Sequence, residues 1–302
     1  MSKFFNDTRI AAGSNPSVDP VVTDIDAAVG SLKKAASTNG SRTHSNETEV
    51  SRLLLPLEQT DQLTADVAAS RLANCATIRL PRSEEKSFLV TQYNPSMQAA
   101  VEAYRTLRTR LTKQQAKKGM RSLVITSAGQ GEGKSLTAFN LALCYAKMPN
   151  FPLLLVDADL RSQGLSRLMG DSESPGLTKV LEDGSDYPSA ILRTDCAGLY
   201  VLPAGSSSTS PSELFSGPNW KEFMGWASET FRLVIVDCPP VLNVADFELV
   251  MAACDSAILV VRSRKTASTD LSKVLAQVDA RKMAGVVFNA AEEAVSGYYP
   301  AA

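Results

Sequence analysis

Apolar and polar positions follow two periods along the chain. Val101, Tyr104, Leu107 and Leu111 recur at helical spacing and give one helix an apolar face. Beyond them, short and wholly apolar runs alternate with segments of helical pattern, which is typical of a parallel sheet covered by helices on both faces. We therefore predict a doubly wound, mostly parallel α/β sheet, with strands at 122–126, 153–156, 199–202, 233–236, 257–261 and 285–288, and helices at 134–146, 220–230, 246–253 and 269–280.

The first part of the chain has a different pattern. Residues 1–90 are rich in Ser, Thr, Asn and Asp, and only 25–36 and 63–73 have the pattern of short helices. We therefore predict three parts: a partly disordered polar extension over 1–90, a folded domain over 91–290, and a C-terminal tail over 291–302.

Composition excludes several classes of function. The chain has 31 basic and 32 acidic residues, so no strong field attracts nucleic acid, and we expect no nucleic-acid partner. The N-terminus lacks the apolar run of a signal peptide, and no segment reaches the ~18 apolar residues of a membrane span. These features predict a cytoplasmic protein. One histidine, His44, leaves no basis for a histidine triad, and five scattered cysteines are expected to be reduced thiols.

A glycine-rich segment lies between a predicted strand and a predicted helix, which is the context that a phosphate-binding P-loop requires. Its glycines allow a tight turn whose N–H groups point at phosphate oxygens, and the helix adds its positive end. Lys134 is expected to reach the β- and γ-phosphates of ATP, and Ser135 to bind Mg²⁺. The predicted nucleotide-binding residues are Gly129, Gln130, Gly131, Glu132, Gly133, Lys134, Ser135 and Leu136.

Acidic residues follow two of the buried strands. Asp157 and Asp159 come just after the strand at 153–156, and Asp237 follows the strand at 233–236. Carboxyl ends of strands are where open α/β sheets bind ligands, and hard cations such as Mg²⁺ prefer oxygen ligands. An Asp after a strand is also a common turn residue, but two such motifs beside a P-loop favour a Mg²⁺–nucleotide site.

Four motifs together resemble the bacterial tyrosine kinases, the P-loop autokinases of capsule and exopolysaccharide export. They are the P-loop, the Walker A-prime segment around Asp157 and Asp159, the Walker B segment ending at Asp237, and an E-x-x-R-x-x-R motif formed by Glu102, Arg105 and Arg108. The resemblance covers residues 90–302 approximately, and Ala128 occupies a position where this family tolerates a residue other than glycine.

The resemblance implies roles for these residues. Lys134, Asp157, Asp159 and Asp237 would be catalytic, with Asp157 orienting or deprotonating the tyrosine hydroxyl. Ser135 and the three carboxylates would hold Mg²⁺, directly or through water. The Glu102 motif would join subunits in a homo-oligomeric ring, and a membrane-embedded polysaccharide chain-length regulator would activate the kinase and recruit it to the inner membrane. Tyr298 and Tyr299 would be phosphate acceptors in a neighbouring subunit's site.

Two other functions fit parts of the sequence. An ATP-binding scaffold with weak kinase activity is compatible with a tail that carries only two clustered tyrosines. The second alternative is a switch ATPase of the partitioning and division-site type. Those proteins carry an additional P-loop lysine five positions before the main one. This chain has Gly129 there, which argues against that class. Asn289, after the last predicted strand, is expected to form a turn, or alternatively to lie near the adenine.

Overall fold

A computed structural model describes residues 65–81, 98–171, 174–184, 186–242 and 244–291. Within them an eight-stranded sheet has the order β1-β4-β5-β3-β6-β2-β7-β8. Every neighbouring pair is parallel except β4 with β5. The strands are β1 Thr77–Ile78, β2 Ser122–Ser127, β3 Leu153–Asp157, β4 Leu192–Thr194, β5 Leu199–Leu202, β6 Leu233–Asp237, β7 Ser256–Arg262 and β8 Met283–Asn289.

In the described residues one helix precedes β1, and the other helices lie along the chain between the strands. The first, α1, covers 65–71. The others are α2 Gln98–Lys118, α3 Lys134–Tyr145, α4 Gly164–Met169, α5 Gly176–Asp183, α6 Tyr187–Ala190, α7 Pro211–Ser216, α8 Asn219–Thr230, α9 Asp246–Ala252 and α10 Ser268–Gln277. None of the helices in these described stretches has both the length and the apolar character to cross a bilayer.

The central strands are buried on both faces. Alternate residues of a strand enter two separate apolar clusters: Val124 and Val234 pack in one, and Leu123 and Ile235 in the other. This alternation follows from the two-residue period of a strand. The continuous apolar runs of the sequence are therefore the centre of a three-layer fold, and the predicted α/β class is confirmed.

The structure adds elements that periodicity did not predict. Helices α4 to α7 have four to eight residues each, and the strands β1 and β4, at one side of the sheet, have two and three. Such elements are too short to show a clear period. Residues 65–81 were assigned above to the polar extension. They include α1, which lies within the short helix predicted at 63–73 and whose Ala68 is buried in the main apolar cluster, and β1, which pairs with β4.

The sheet brings the predicted motifs to one edge. β2, which leads into the P-loop, lies between β6 and β7, and β3 lies on the other side of β6. Asp237 at the end of β6 is in register with Ile125 of β2 and Asp157 of β3. Parallel register therefore places the carboxylates of two strands beside the phosphate loop.

Candidate nucleotide and phosphotransfer site

The P-loop leads from β2 into α3 with a backbone that only glycine accommodates well. Gly131 and Gly133 have φ of 71° and 96°, in the left-handed region. A Cβ on Gly133 would lie 1.9 Å from Nδ2 of Asn289, so a side chain is excluded there by contact as well as by conformation. Glu132 folds back, and its Oε2 accepts a hydrogen bond from the Ala128 amide at 3.2 Å. Its buried carboxylate therefore connects the two ends of the loop by a hydrogen bond.

Lys134, the first residue of α3, forms ion pairs with two carboxylates. Its Nζ lies 2.7 Å from Oδ2 of Asp159 and 3.3 Å from Oδ1 of Asp237. The Ser135 hydroxyl is 3.4 Å away. Only 7% of Lys134 is exposed. Burial lowers the pKa of Lys134, but the Asp237 and Asp159 charges outweigh it, and its pKa stands above the usual range. The lysine is therefore a buried cation bound by two anions.

The three carboxylates have different protonation chemistry. Burial, together with the Asp237 charge, raises the pKa of Asp157 to about 7. Burial also raises the pKa of Asp237, although the Lys134 charge opposes it. Burial would raise the pKa of Asp159 as well, but the charge and hydrogen bond of Lys134 outweigh it and hold that pKa below its usual value. Asp159 is therefore the most firmly ionised of the three, and the pKa of Asp157 lies near neutral pH.

Asp157 is positioned by its own hydrogen bonds. Its Oδ2 accepts from the amide and the hydroxyl of Ser166 in α4, at 2.8 and 2.7 Å. Its Oδ1 accepts from the Asp159 amide at 3.2 Å. Both oxygens therefore fix the turn that follows β3. The contribution of Ser166 was not predicted, because its place beside Asp157 depends on the short helix α4.

One carboxylate oxygen is suited to a cation. Oδ2 of Asp237 is buried and has no hydrogen-bond partner, which is costly unless a positive ligand or water satisfies it. Across the described residues no three His, Cys, Asp or Glu side chains form a metal site by themselves. Mg²⁺ fits nevertheless, because it usually binds one or two carboxylates, keeps several waters and takes further oxygens from phosphates. Asp237 and Ser135 are the residues that would hold it.

A cleft of about 450 Å³ opens above the P-loop. Of the predicted residues, Gln130, Gly131, Gly133, Lys134, Ser135, Leu136 and Asp159 line it. Asp157 and Asp237 do not; both are fully buried, behind its wall. Ser162, Gly164 and Arg167, from the segment after Asp159, also line the cleft and were not predicted. Their sequence has no periodic or motif signal that would single them out.

A second charged contact fixes the Walker A-prime segment. Arg161 donates from Nε to Oδ2 of Asp246 at 2.7 Å and from Nη2 to Oδ1 at 3.2 Å, a two-point contact. Asp246 is fully buried at the start of α9, and the Ser212 hydroxyl donates to it at 2.6 Å. Asp246 was not predicted as a site residue, because an acidic residue in the first turn of a helix is common and does not by itself indicate a partner.

The predicted oligomerisation motif lies on α2. Glu102 and Arg105 are exposed and form an ion pair with each other. Arg108 is half-buried, and its Nη1 donates to the carbonyl of Cys144, near the end of α3, at 2.8 Å. Two members of the motif are thus at the surface, and the third binds within the domain. Tyr298 and Tyr299 lie outside the described residues.

Comparison with known proteins agrees with this site. The family described as "AAA domain" matches residues 120–284, which include the P-loop and all three carboxylates. The tyrosine-protein kinase YwqD of Bacillus subtilis is 34% identical over 203 residues, which are 66% of this chain and 85% of that protein. The chain belongs to the bacterial tyrosine-protein kinases. The resemblance stated from the four motifs is thereby confirmed.

Two further relatives define the extent of this likeness. The putative tyrosine-protein kinase EpsB of Ralstonia solanacearum is 34% identical over 63% of this chain, but the match spans only 26% of EpsB. The kinase domain of the Escherichia coli tyrosine kinase ETK superposes with a TM-score of 0.62 at 27% identity, over 75% of this chain and 94% of that domain. The chain is therefore similar to the kinase domain of ETK and to about a quarter of the length of EpsB.

Proposed function

We propose that this chain is an ATP- and Mg²⁺-dependent protein-tyrosine kinase that phosphorylates Tyr298 and Tyr299 of a neighbouring copy. The observation that carries the proposal is the placement of Lys134 between Asp159 and Asp237 at the base of the P-loop cleft. This arrangement supplies a cation for phosphate charge and carboxylates for a metal and a proton, which are the requirements of phosphoryl transfer.

The reaction assigns one task to each group. The tyrosine oxygen forms a bond to the γ-phosphorus of ATP as the bond to the β–γ bridging oxygen breaks, and ADP leaves. Bound Mg²⁺ would neutralise charge on the phosphate oxygens. Lys134 exchanges its carboxylate partners for phosphate oxygens and stabilises the same charge. The hydroxyl proton passes to a carboxylate of the Walker A-prime segment.

Asp157 is the better proton acceptor of that segment. A base works best with a pKa near the working pH, and the pKa of Asp157 is about 7, whereas that of Asp159 is held low by Lys134. Asp159 lines the cleft and Asp157 lies behind it. The proposal therefore requires the Ser166 contacts of Asp157 to open, or a water to connect it to the acceptor, when substrate is bound.

Assembly and location extend the proposal. We propose a homo-oligomeric ring in which Glu102, Arg105 and Arg108 lie near the contact between subunits; the exposure of Glu102 and Arg105 supports this. A ring allows the tail of one copy to enter the cleft of the next. A membrane-embedded polysaccharide chain-length regulator would activate the ring at the inner membrane and so connect phosphorylation to exopolysaccharide or capsule export.

A mixing experiment tests transfer in trans. A Lys134→Ala chain, unable to transfer phosphate and checked by circular dichroism to be folded under the assay conditions, is combined with an active chain that lacks residues 296–302, and Mg-ATP is added. Phosphotyrosine is then mapped by mass spectrometry. We expect label at Tyr298 and Tyr299 of the inactive chain. Label on other tyrosines alone would refute the tail assignment, and no label in any mixture, with ATP still bound, would favour the scaffold function.

A further inference from the structure

Three consecutive carbonyls of the P-loop are bound from outside by side chains of two neighbouring strand ends. Lys265 Nζ donates to the Gln130 carbonyl at 2.8 Å, and Arg262 Nη1 donates to the Gly131 carbonyl at 3.0 Å. Asn289 Nδ2 donates to the Glu132 carbonyl at 2.8 Å. We refer to Arg262, Lys265 and Asn289 as the carbonyl clamp.

Two residues of the carbonyl clamp are held in place by the sheet. Arg262 ends β7, Asn289 ends β8, and the two residues are paired in the sheet. The Ser263 amide donates to the Asn289 carbonyl, and the Ala290 amide donates to Oδ1 of Asn289, both at 2.9 Å. Asn289 is buried, so its orientation is fixed by contacts on all sides. Asn289 was expected to form a turn or to lie near the adenine; its hydrogen bond to the P-loop was not predicted.

The neighbouring carbonyls of the loop are already occupied. The Ser127 hydroxyl donates to the Gly129 carbonyl at 2.7 Å, and the Gly133 carbonyl accepts the first helical bond, from Thr137, at 2.9 Å. The clamp therefore completes a continuous series of bound carbonyls from 129 to 133. Since each peptide group is planar, fixing its carbonyl outward also fixes its N–H on the opposite side.

Each clamped carbonyl belongs to the same peptide group as an N–H that can reach phosphate. The carbonyls of Gln130, Gly131 and Glu132 are joined to the amides of Gly131, Glu132 and Gly133. A donor on the oxygen of a peptide group polarises that group and makes its N–H a stronger donor, and a charged donor does so more. Two of the three clamp donors are cations.

We infer that the carbonyl clamp is a set of positioning residues for nucleotide binding, which orient and polarise the P-loop amides that bind phosphate. The inference concerns ATP and ADP affinity, so it rests on the nucleotide site and is independent of which residue accepts the phosphate. Asn289, which is buried, is expected to contribute most, and Lys265, which is exposed, least, because solvent screens its charge.

The test uses full-length variants and two measurements. One is the Kd for Mg-ADP by calorimetry; the other is the amide nitrogen shift of Gly131 and Gly133 in nucleotide-free protein labelled with ¹⁵N-glycine. The double variant Arg262→Met and Lys265→Met removes both cationic donors but keeps two long side chains. Its matched control, Lys273→Met and Arg281→Met, removes two exposed cations of α10 and the loop before β8, which pair with Asp270 and Asp279.

We expect the double variant to raise the Kd for Mg-ADP at least fivefold and to shift the Gly131 amide nitrogen upfield, with the control within twofold of the parent protein. Asn289→Asp, which cannot donate to the Glu132 carbonyl, is expected to raise the Kd more than tenfold and to shift Gly133. The conservative double variant Arg262→Lys and Lys265→Arg is expected to restore the Kd to within threefold.

Two results would overturn the inference. One is a Kd for the Met double variant equal to that of its control. The other is a weakened affinity with unshifted Gly131 and Gly133 amides, which would mean that the cations contact the nucleotide directly. Neither measurement involves transfer to tyrosine, so a failure here is distinct from a failure of the proposed kinase activity.

Discussion

Replacing Lys134 with methionine should destabilise the fold as well as abolish catalysis. The sequence predicted only that Lys134 reaches the β- and γ-phosphates of ATP. In the structure Lys134 is 7% exposed and is the cation between Asp159 and Asp237, both of which are buried. Removing one partner of a buried ion pair leaves uncompensated charge and typically costs about 3–5 kcal/mol of unfolding free energy.

The loss should depend on pH, because the orphaned carboxylates can take up protons. In the parent protein Lys134 holds the pKa of Asp159 below its unfolded value, so this contribution to stability is present above that unfolded value, about 3.9, and is lost as pH falls through the folded pKa. Without Lys134, burial raises the pKa of Asp159 and further raises that of Asp237. The folded variant then binds more protons than the unfolded chain above pH ~4, and its stability falls as pH rises, by about 1.4 kcal/mol per pH unit and carboxylate.

Urea unfolding at pH 5 and pH 8 measures both effects. We expect Lys134→Met to lose about 3–5 kcal/mol at pH 8 and clearly less at pH 5, and Lys179→Met, at an exposed position on α5, to change little at either pH. Mg-ADP at 100 times its Kd should stabilise the parent protein by about 2.7 kcal/mol and the Lys134 variant by much less. A loss of the same size at both pH values, or one below about 1 kcal/mol at pH 8, would refute the argument that the lysine is a structural counter-charge.

Two further substitutions test the site. We expect kcat of the parent enzyme to rise through pH ~7, as Asp157, with its pKa of about 7, loses its proton. Asp157→Asn should lower kcat about 10²–10⁴-fold and remove this rise. A variant that keeps the same rise in its pH–rate profile would show that another group is the base. Gly133→Ala should abolish Mg-ADP binding, because the new Cβ would lie 1.9 Å from Nδ2 of Asn289 at a φ of 96°. Calorimetry checks this, and near-normal affinity would mean that the loop relaxes freely, with Gly217→Ala, at a negative φ, as the control.

Strong local patterns predicted most of the sheet. The β3 and β6 strands were predicted to within one residue, because a buried parallel strand is a continuous apolar run that ends in polar residues. Their aspartates could be placed together because the carboxyl ends of parallel strands meet at one edge of a sheet. The phosphate loop was predicted for a similar reason: its glycines, lysine and serine are consecutive in the chain.

Residues whose role depends on long-range contacts could not be predicted in this way. Ser166 binds Asp157 from a six-residue helix, and Arg262 and Asn289 reach the P-loop across more than 130 positions of sequence. Nothing in their local pattern distinguishes Ser166 and Arg262 from ordinary polar residues at element ends, and the position of Asn289 after a strand predicted only a turn or a place near the adenine. Only the strand order, with β7 beside β2 and β8 beside β7, brings Arg262 and Asn289 to the loop.

The charges at the site connect stability to function. Without nucleotide, Lys134 neutralises Asp159 and Asp237, and the pKa of Asp157 is raised partly by its neighbour Asp237. When phosphate draws the lysine away, those two carboxylates lose a counter-charge, and the affinity of the site for a second cation must rise. Mg²⁺ and ATP should therefore bind with positive cooperativity, since each makes the other's charge easier to accommodate. Mg²⁺ is then needed to neutralise the buried carboxylates of the protein as well as the phosphate group that is transferred.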